Sequence, residues 1–250
     1  MPSFLGRVCL FLALLLPCHT YAQDAQEAPV EIAIVGVPPY LLVDQYGRPK
    51  GPVIDLIERL FADLQQPYNV RDLPPNRVGL RLIKGQAALT IASGSNPGLS
   101  RLARQGSEAL LSMALNVYRK PGTPAIHNLS DLAGKRVICI TAYSYGTADA
   151  TLAQNQPPTR KVHANSHEAA LQMLLHGRAD YLLDYAEPLQ SHLKALPPDS
   201  VAADPIDEIA MYFYLARQYP HPELLVRLDQ AVRKQRLSGE LQHLLTLPSE

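Results

Sequence analysis

Thr141-Ala142-Tyr143-Ser144-Tyr145-Gly146 joins an apolar run to a helix-like stretch. Backbone N–H groups at such a turn favour an anion. Ser144 adds a hydroxyl, and Tyr143 and Tyr145 add rings with polar tips. Pro38-Pro39-Tyr40 ends another apolar run. Its prolines remove backbone donors and fix φ, so this is no ordinary central strand. A rigid turn there either presents Tyr40 to a cleft or merely packs it. Ser93 and Ser95 follow a third short apolar run and are candidates for further hydrogen bonds. Asp184 ends Tyr181-Leu182-Leu183, an odd place for a carboxylate unless it faces a cleft or caps the next helix.

Other reactive residue types give less. His163 and His167 would suit a metal only on one helix, and Asn165-Ser166 puts a helix start between them, with Asn165 as N-cap. The sequence has no HExxH, no glycine-rich phosphate loop and no CxxC pair, so no metal or cofactor is expected. Cys139, within Val137-Ile138-Cys139-Ile140, reads as a small buried hydrophobe.

The elements that must position these groups alternate. Strands are expected over residues 30–37, 68–73, 88–92 and 110–118, with helices over 53–64 and 76–84. A linker at 119–124 precedes a second unit. That unit has strands over 136–141, 161–164 and 179–184 and helices over 145–153, 165–177 and 185–196. A strand at 208–216 and closing helices at 222–247 complete the chain. This order indicates two α/β lobes with mainly parallel sheets, in which ligands sit beyond the carboxyl ends of strands.

Residues 1–22 read as a secretory signal peptide: Arg7, an apolar run from Val8 to Leu16, then small residues before cleavage after Ala22. Lipid attachment at Cys18 is the rival, disfavoured by Pro17. Either way export is expected. Of 23 basic and 23 acidic residues, removing Arg7 leaves 22 against 23, a formal charge of −1. That balance argues against an electrostatic nucleic-acid binder. Cys9 and Cys18 leave with the signal, so Cys139 has no partner for an internal disulfide.

Five segments carry a resemblance. They are Pro38-Pro39-Tyr40 with Asp44, Gly47 and Gly51 before Ile54-Asp55-Leu56; Ser95 to Arg101 with Ser107-Glu108-Ala109-Leu110; Leu129 to Val137; Gly177 to Asp184; and Met211 to Gly239. In this order the chain resembles periplasmic solute-binding proteins of the polar amino-acid ABC transporter type, extracellular solute-binding family 3. The resemblance implies a two-lobed α/β fold (type II) that closes as a hinge. Lobe 1 would comprise residues 27–118 plus 206–250, lobe 2 residues 119–205, with crossing strands at 115–119 and 210–216.

It also implies chemistry. Arg101, with Arg104 as rival, would take a ligand carboxylate through a bidentate fork, and Asp184 would take the ammonium. The 141–146 turn would share the carboxylate with Arg101. Two departures stand out: the usual threonine near Arg101 is missing, and apolar Ala87-Ala88 replace the usual aspartate. Pro74-Pro75-Asn76-Arg77 resembles an element of a divergent branch, in which Arg77 would be a second cation or a surface residue. The implied function is capture of a small polar solute, an amino acid or related carboxylate, by a monomer in the periplasm. An inner-membrane ABC permease would be the partner, or alternatively a membrane sensor protein. A dehydratase on this scaffold would need Glu187 or Glu168 as general acid.

Overall fold

The computed structural model describes residues 28–246. The expected signal peptide, with Cys18 and the cleavage position, lies outside the described residues.

Strand β1 (Val30–Ile34) leads into the Pro-Pro-Tyr turn and a small hairpin of β2 (Leu42–Val43) and β3 (Pro49–Lys50). Helix α1 (Pro52–Leu64) follows. Pro52 suits its first turn, where an N–H has no helical partner, and Gln65 closes it in the left-handed conformation at φ 53°. Val53, Leu56, Ile57, Leu60 and Phe61 form its buried stripe. Each such side chain contributes roughly 1.5–3 kcal/mol by leaving water. Strand β4 (Tyr68–Asp72), helix α2 (Pro75–Ile83) and strand β5 (Leu89–Ser93) complete the first half.

Two long strands form the middle of the molecule, β6 (Ala103–Arg119) and, later in the chain, β10 (Ala202–Ala216). Between them lie a 3-10 turn (Leu129–Leu132), β7 (Arg136–Ile140), α3 (Thr147–Gln154), β8 (Arg160–Ala164), α4 (His167–Leu175), β9 (Tyr181–Tyr185) and α5 (Ala186–Lys194). Helices α6 (Glu223–Leu237) and α7 (Glu240–Leu245) end the described chain.

Eight strands make one sheet in the order β4-β1-β5-β10-β6-β9-β7-β8. Its two ends, β4-β1-β5 and β9-β7-β8, are parallel, as expected. The centre is antiparallel: β10 pairs with β5 and β6, and β6 pairs with β9. The apolar core falls into four clusters. Two lie around β1 and β5 with α1, α2 and α6, and two around β7 and β9 with α3, α4 and α5.

The central pair differs from the sequence expectation. Strand β6 begins at Ala103 rather than 110, and β10 at Ala202 rather than 208. Their register runs from Ala202 opposite Arg119 to Ala216 opposite Ala103, with bulges that absorb Pro205. Residues 115–119 therefore face the early part of β10, and 210–216 face the early part of β6. The two stretches expected to cross together do not lie opposite one another. Arg119 and Asp204 pin the far end with bonds of 2.8 and 3.2 Å.

Candidate ligand-binding site

A cavity of about 290 Å³ lies where the two halves meet, beyond the ends of β1 and β5 and against the turn after β7. Its walls come from both sides of the central strands: Ile91 and Ser93 on β5, Leu111 and Met113 on β6, and Tyr143 and Ser144 on the turn.

The Pro-Pro-Tyr segment answers to local backbone bonding. Val37 and Leu41 exchange N–H···O bonds of 3.1 and 2.9 Å, closing a tight turn that carries Tyr40 to the cavity. The Tyr40 carbonyl then accepts from Val53 N at 3.1 Å, joining the turn to α1. Gly51 permits this approach. It sits at φ 109°, and a Cβ there would meet the Tyr40 carbonyl oxygen at 3.0 Å.

The turn after β7 is built as tightly. Ala142 adopts φ 60°, a left-handed conformation that favours glycine. Gly146, at φ 59°, lets the turn lie against Gly94, whose oxygen a Cβ would meet at 3.1 Å. Ser93 Oγ donates to the Ser144 carbonyl at 3.4 Å, and Tyr185 OH donates to the same carbonyl at 2.8 Å. That one carbonyl links the first half to the second.

The expected anion site at this turn is already filled by the chain itself. Asp149, in the first turn of α3, accepts from Tyr145 N at 2.8 Å and from Ser144 Oγ at 2.9 Å. Gly146 N is taken by Ser144 Oγ at 3.2 Å, and Tyr143 N by the Ile140 carbonyl at 3.2 Å. An acid in a first helical turn is the usual complement of the helix dipole, and that was the legible signal.

Tyr40, Ser93, Tyr143 and Ser144 thus line the cavity, and Ser95, Arg77, Arg101, Tyr145 and Asp184 do not. Arg77, Arg101 and Arg104 are exposed, Arg104 because β6 starts early and carries it in register with Leu215. Ser95 is exposed at φ 57°, its N–H donating to Gln105. Tyr145 is buried, and its hydroxyl accepts from Ile140 N at 2.9 Å. Burial drives that hydroxyl's pKa well up, so it stays neutral and structural.

Asp184 is fully buried, and its Oδ2 lies 2.7 Å from His167 Nδ1. Its Oδ1 accepts from Tyr185 N at 2.9 Å. Burial raises the carboxyl above its usual range; His167 and the Tyr185 amide oppose this without cancelling it. The other imidazole nitrogen, Nε2, is 3.2 Å from the Tyr143 hydroxyl. Asp184 does not cap α5, whose N-cap residue is Tyr185. Helix α4 starts one residue later than expected. Ser166 is its N-cap, accepting from Ala169 N, while the Asn165 side chain accepts from Thr141 Oγ1. His163 is exposed on β8, and among the described residues no cluster of metal-ligating side chains occurs. Cys139 is buried, its thiol pushed up to about 12 by burial, which removes nucleophilic character at neutral pH.

Sequence reasoning missed Asn76, Thr90, Asn96 and Tyr185 as lining groups, and Met113 and Met211 as apolar ones. Residue type alone does not mark them.

No protein-family model and no curated sequence matches the chain. Solved structures do match in shape. A histidine kinase sensor domain with similarity to periplasmic binding proteins superposes with a TM-score of 0.73 at 17% identity, covering 88% of this chain and 95% of that one. The chain has the periplasmic-binding-protein fold. An ancestral arginine-binding protein bound to arginine gives 0.71 at 17% identity, covering 88% and 97%. The amino acid ABC transporter substrate-binding protein AbpA from Streptococcus pneumoniae, bound to L-arginine, gives 0.66 at 19% identity, covering 87% and 92%.

Proposed function

We propose that this protein is an exported, non-catalytic receptor. It captures a small solute of amino-acid size by hinge closure and delivers it to an ABC permease. The observation that carries the reading is the cavity itself, whose walls come from both halves and meet at the Ser93–Ser144 contact. A solute touching both walls favours whichever conformation offers both sets of contacts, which couples capture to closure. We assign lobe 1 to residues 27–118 plus 206–250 and lobe 2 to 119–205, with β10 crossing from one to the other and the end of β6 paired with β9 of lobe 2. Among the described residues no helix is long and apolar enough to cross a membrane. A signal peptide cleaved near Ala22 and release as a periplasmic monomer belong to the same proposal.

The amino-acid ligands of the arginine-binding neighbours support the size class. Heat-stability scans and calorimetry across amino acids and their derivatives test it. Saturable stabilisation by at least one is expected, and a flat response across the panel contradicts the reading.

A second reading is a sensor-type receptor that hands the signal to a membrane signalling protein. It is favoured by the sensor-domain neighbour. Crosslinking in membranes separates the two: capture of a permease supports uptake, and capture of a kinase supports sensing. Catalysis is not assigned. Glu187, the candidate general acid, is off the cavity wall and accepts from Ala114 N at 3.1 Å, and Glu168 is exposed.

A further inference from the structure

We infer that the cavity selects an uncharged solute with an apolar body, such as an amino-acid derivative with both ends masked. The inference rests on the receptor reading above and narrows its ligand.

Three observations converge on it. Among the described residues, those that line the cavity include no Asp, Glu, Lys, Arg or His. Its broad surfaces are apolar, from Val35, Val37, Ile91, Leu111, Met113 and Met211. Its polar residues are neutral, Asn76, Asn96, Ser93, Tyr40 and Tyr143 among them.

Two acids behind that wall are answered within the protein, and a third, Glu187, is off the wall and accepts from Ala114 N at 3.1 Å through Oε1, while its buried Oε2 has no partner among the described residues. Asp184 is fully buried against His167 at 2.7 Å, and the imidazole's other nitrogen meets the Tyr143 hydroxyl. Asp149 takes the amide and hydroxyl donors of the turn, and Lys161 Nζ stands 3.7 Å from its Oδ1. Drawing either carboxylate to a ligand would break these bonds and strand a buried partner.

The cations that would answer a ligand carboxylate stand elsewhere. Arg77 and Arg101 are exposed and off the wall. An ionised end group moved from water to this wall loses hydration with no charged side chain on the wall to replace it. A neutral amide or hydroxyl exchanges its water for Ser, Asn or Tyr partners at little loss, while its hydrocarbon part gains from the apolar surface.

Methionine methyls offer the readout. Met113 and Met211 line the cavity, whereas Met173 packs in a cluster around β7 and α4 away from it. Protein labelled with 13C at methionine methyls is titrated at pH 7 with four compounds on one branched skeleton. These are isovaleramide (neutral), isovalerate (anion), isoamylammonium (cation) and L-leucine (zwitterion). Isovaleramide is expected to move Met113 and Met211 together, with Met173 still, at a Kd at least about ten-fold below those of the three charged compounds. Equal or tighter binding of any charged compound overturns the inference, as does a silent response to isovaleramide. If L-leucine moves both methyls and isovaleramide does not, the receptor reading stands and the ligand class falls. If all four are silent and the amino-acid heat scans are flat, both fall.

A gain-of-charge variant gives an independent arm. Asn76 lies on the exposed first turn of α2, so Asn76→Asp leaves the core intact while placing a carboxylate on the wall. Isoamylammonium should then gain about ten-fold relative to isovaleramide. An unchanged order would show that this wall does not meet the solute and would overturn the inference.

Discussion

His167 Nδ1 stands 2.7 Å from Asp184 Oδ2, in a pair whose side chains are 12% and 0% exposed. The contact ties the start of α4 to the end of β9, and Tyr143 extends it to the turn after β7. A carboxylate at a strand end therefore serves as an internal brace.

The brace predicts strong coupling. His167→Ala leaves a buried carboxylate without its partner, and such losses cost about 3–5 kcal/mol. In an Asp184→Asn background the same change should cost less by about 0.5–3 kcal/mol. Urea denaturation of the four proteins measures the cycle, and additive effects would contradict the pairing.

Asp149 makes a separate prediction. Asp149→Ala removes the acceptor for Tyr145 N and Ser144 Oγ and should cost about 1–3 kcal/mol. The freed donors should then take an anion, so sulfate should restore part of the loss in the variant and little in the parent. Sulfate titration during thermal melts checks this; equal responses would mean that Asp149 does not fill the turn.

At Gly51 the backbone is the issue. Gly51→Ala combines φ 109° with a Cβ 3.0 Å from the Tyr40 carbonyl oxygen. A loss of about 1–3 kcal/mol is expected. Binding of the solute should weaken with it, because the same contact sets the Tyr40 turn on α1. A neutral outcome in both readouts would argue against a fixed turn.

Stability should depend on pH with two opposite contributions. Hydrogen bonds from Arg233 and Arg236 hold the Glu108 carboxyl below its usual range. Its contribution is therefore present above the unfolded pKa and lost as pH falls through the folded one. Glu187 is opposite: burial raises it, so its contribution is present below the unfolded pKa and lost as pH rises through the folded value. Glu108→Gln should flatten the acid limb of a plot of denaturation midpoint against pH. Glu187→Gln should flatten the limb above it and raise stability at pH 7. Parallel displacement of the whole curve by either variant would contradict the assignment.

Much of the fold was legible because it is written in local periodicity. The α1 stripe, the parallel ends of the sheet and the strand-to-helix turn at 141–146 each follow from nearby residues. The early starts of β6 and β10 were not, because Arg104, Gln105, Asp204 and Pro205 look unlike strand residues. Their conformation is set by pairing partners roughly a hundred residues away. At the site, Tyr40, Ser93, Tyr143 and Ser144 were readable as side chains next to strand ends. The use of the charges was not. Residue type says that Asp184 carries a carboxylate, but only the packing of α4 on β9 shows that His167 answers it.

The central claim is that a solute binds between the two halves, against β5, β6 and the 141–146 turn. The most direct measurement is the 13C-methionine methyl spectrum during titration with the compound that gives the largest heat-stability shift. The account predicts that Met113 and Met211 move together and saturate at the same concentration as the melting shift, with Met173 unchanged. Saturable stabilisation with Met113 and Met211 unmoved would place the solute elsewhere and contradict the account.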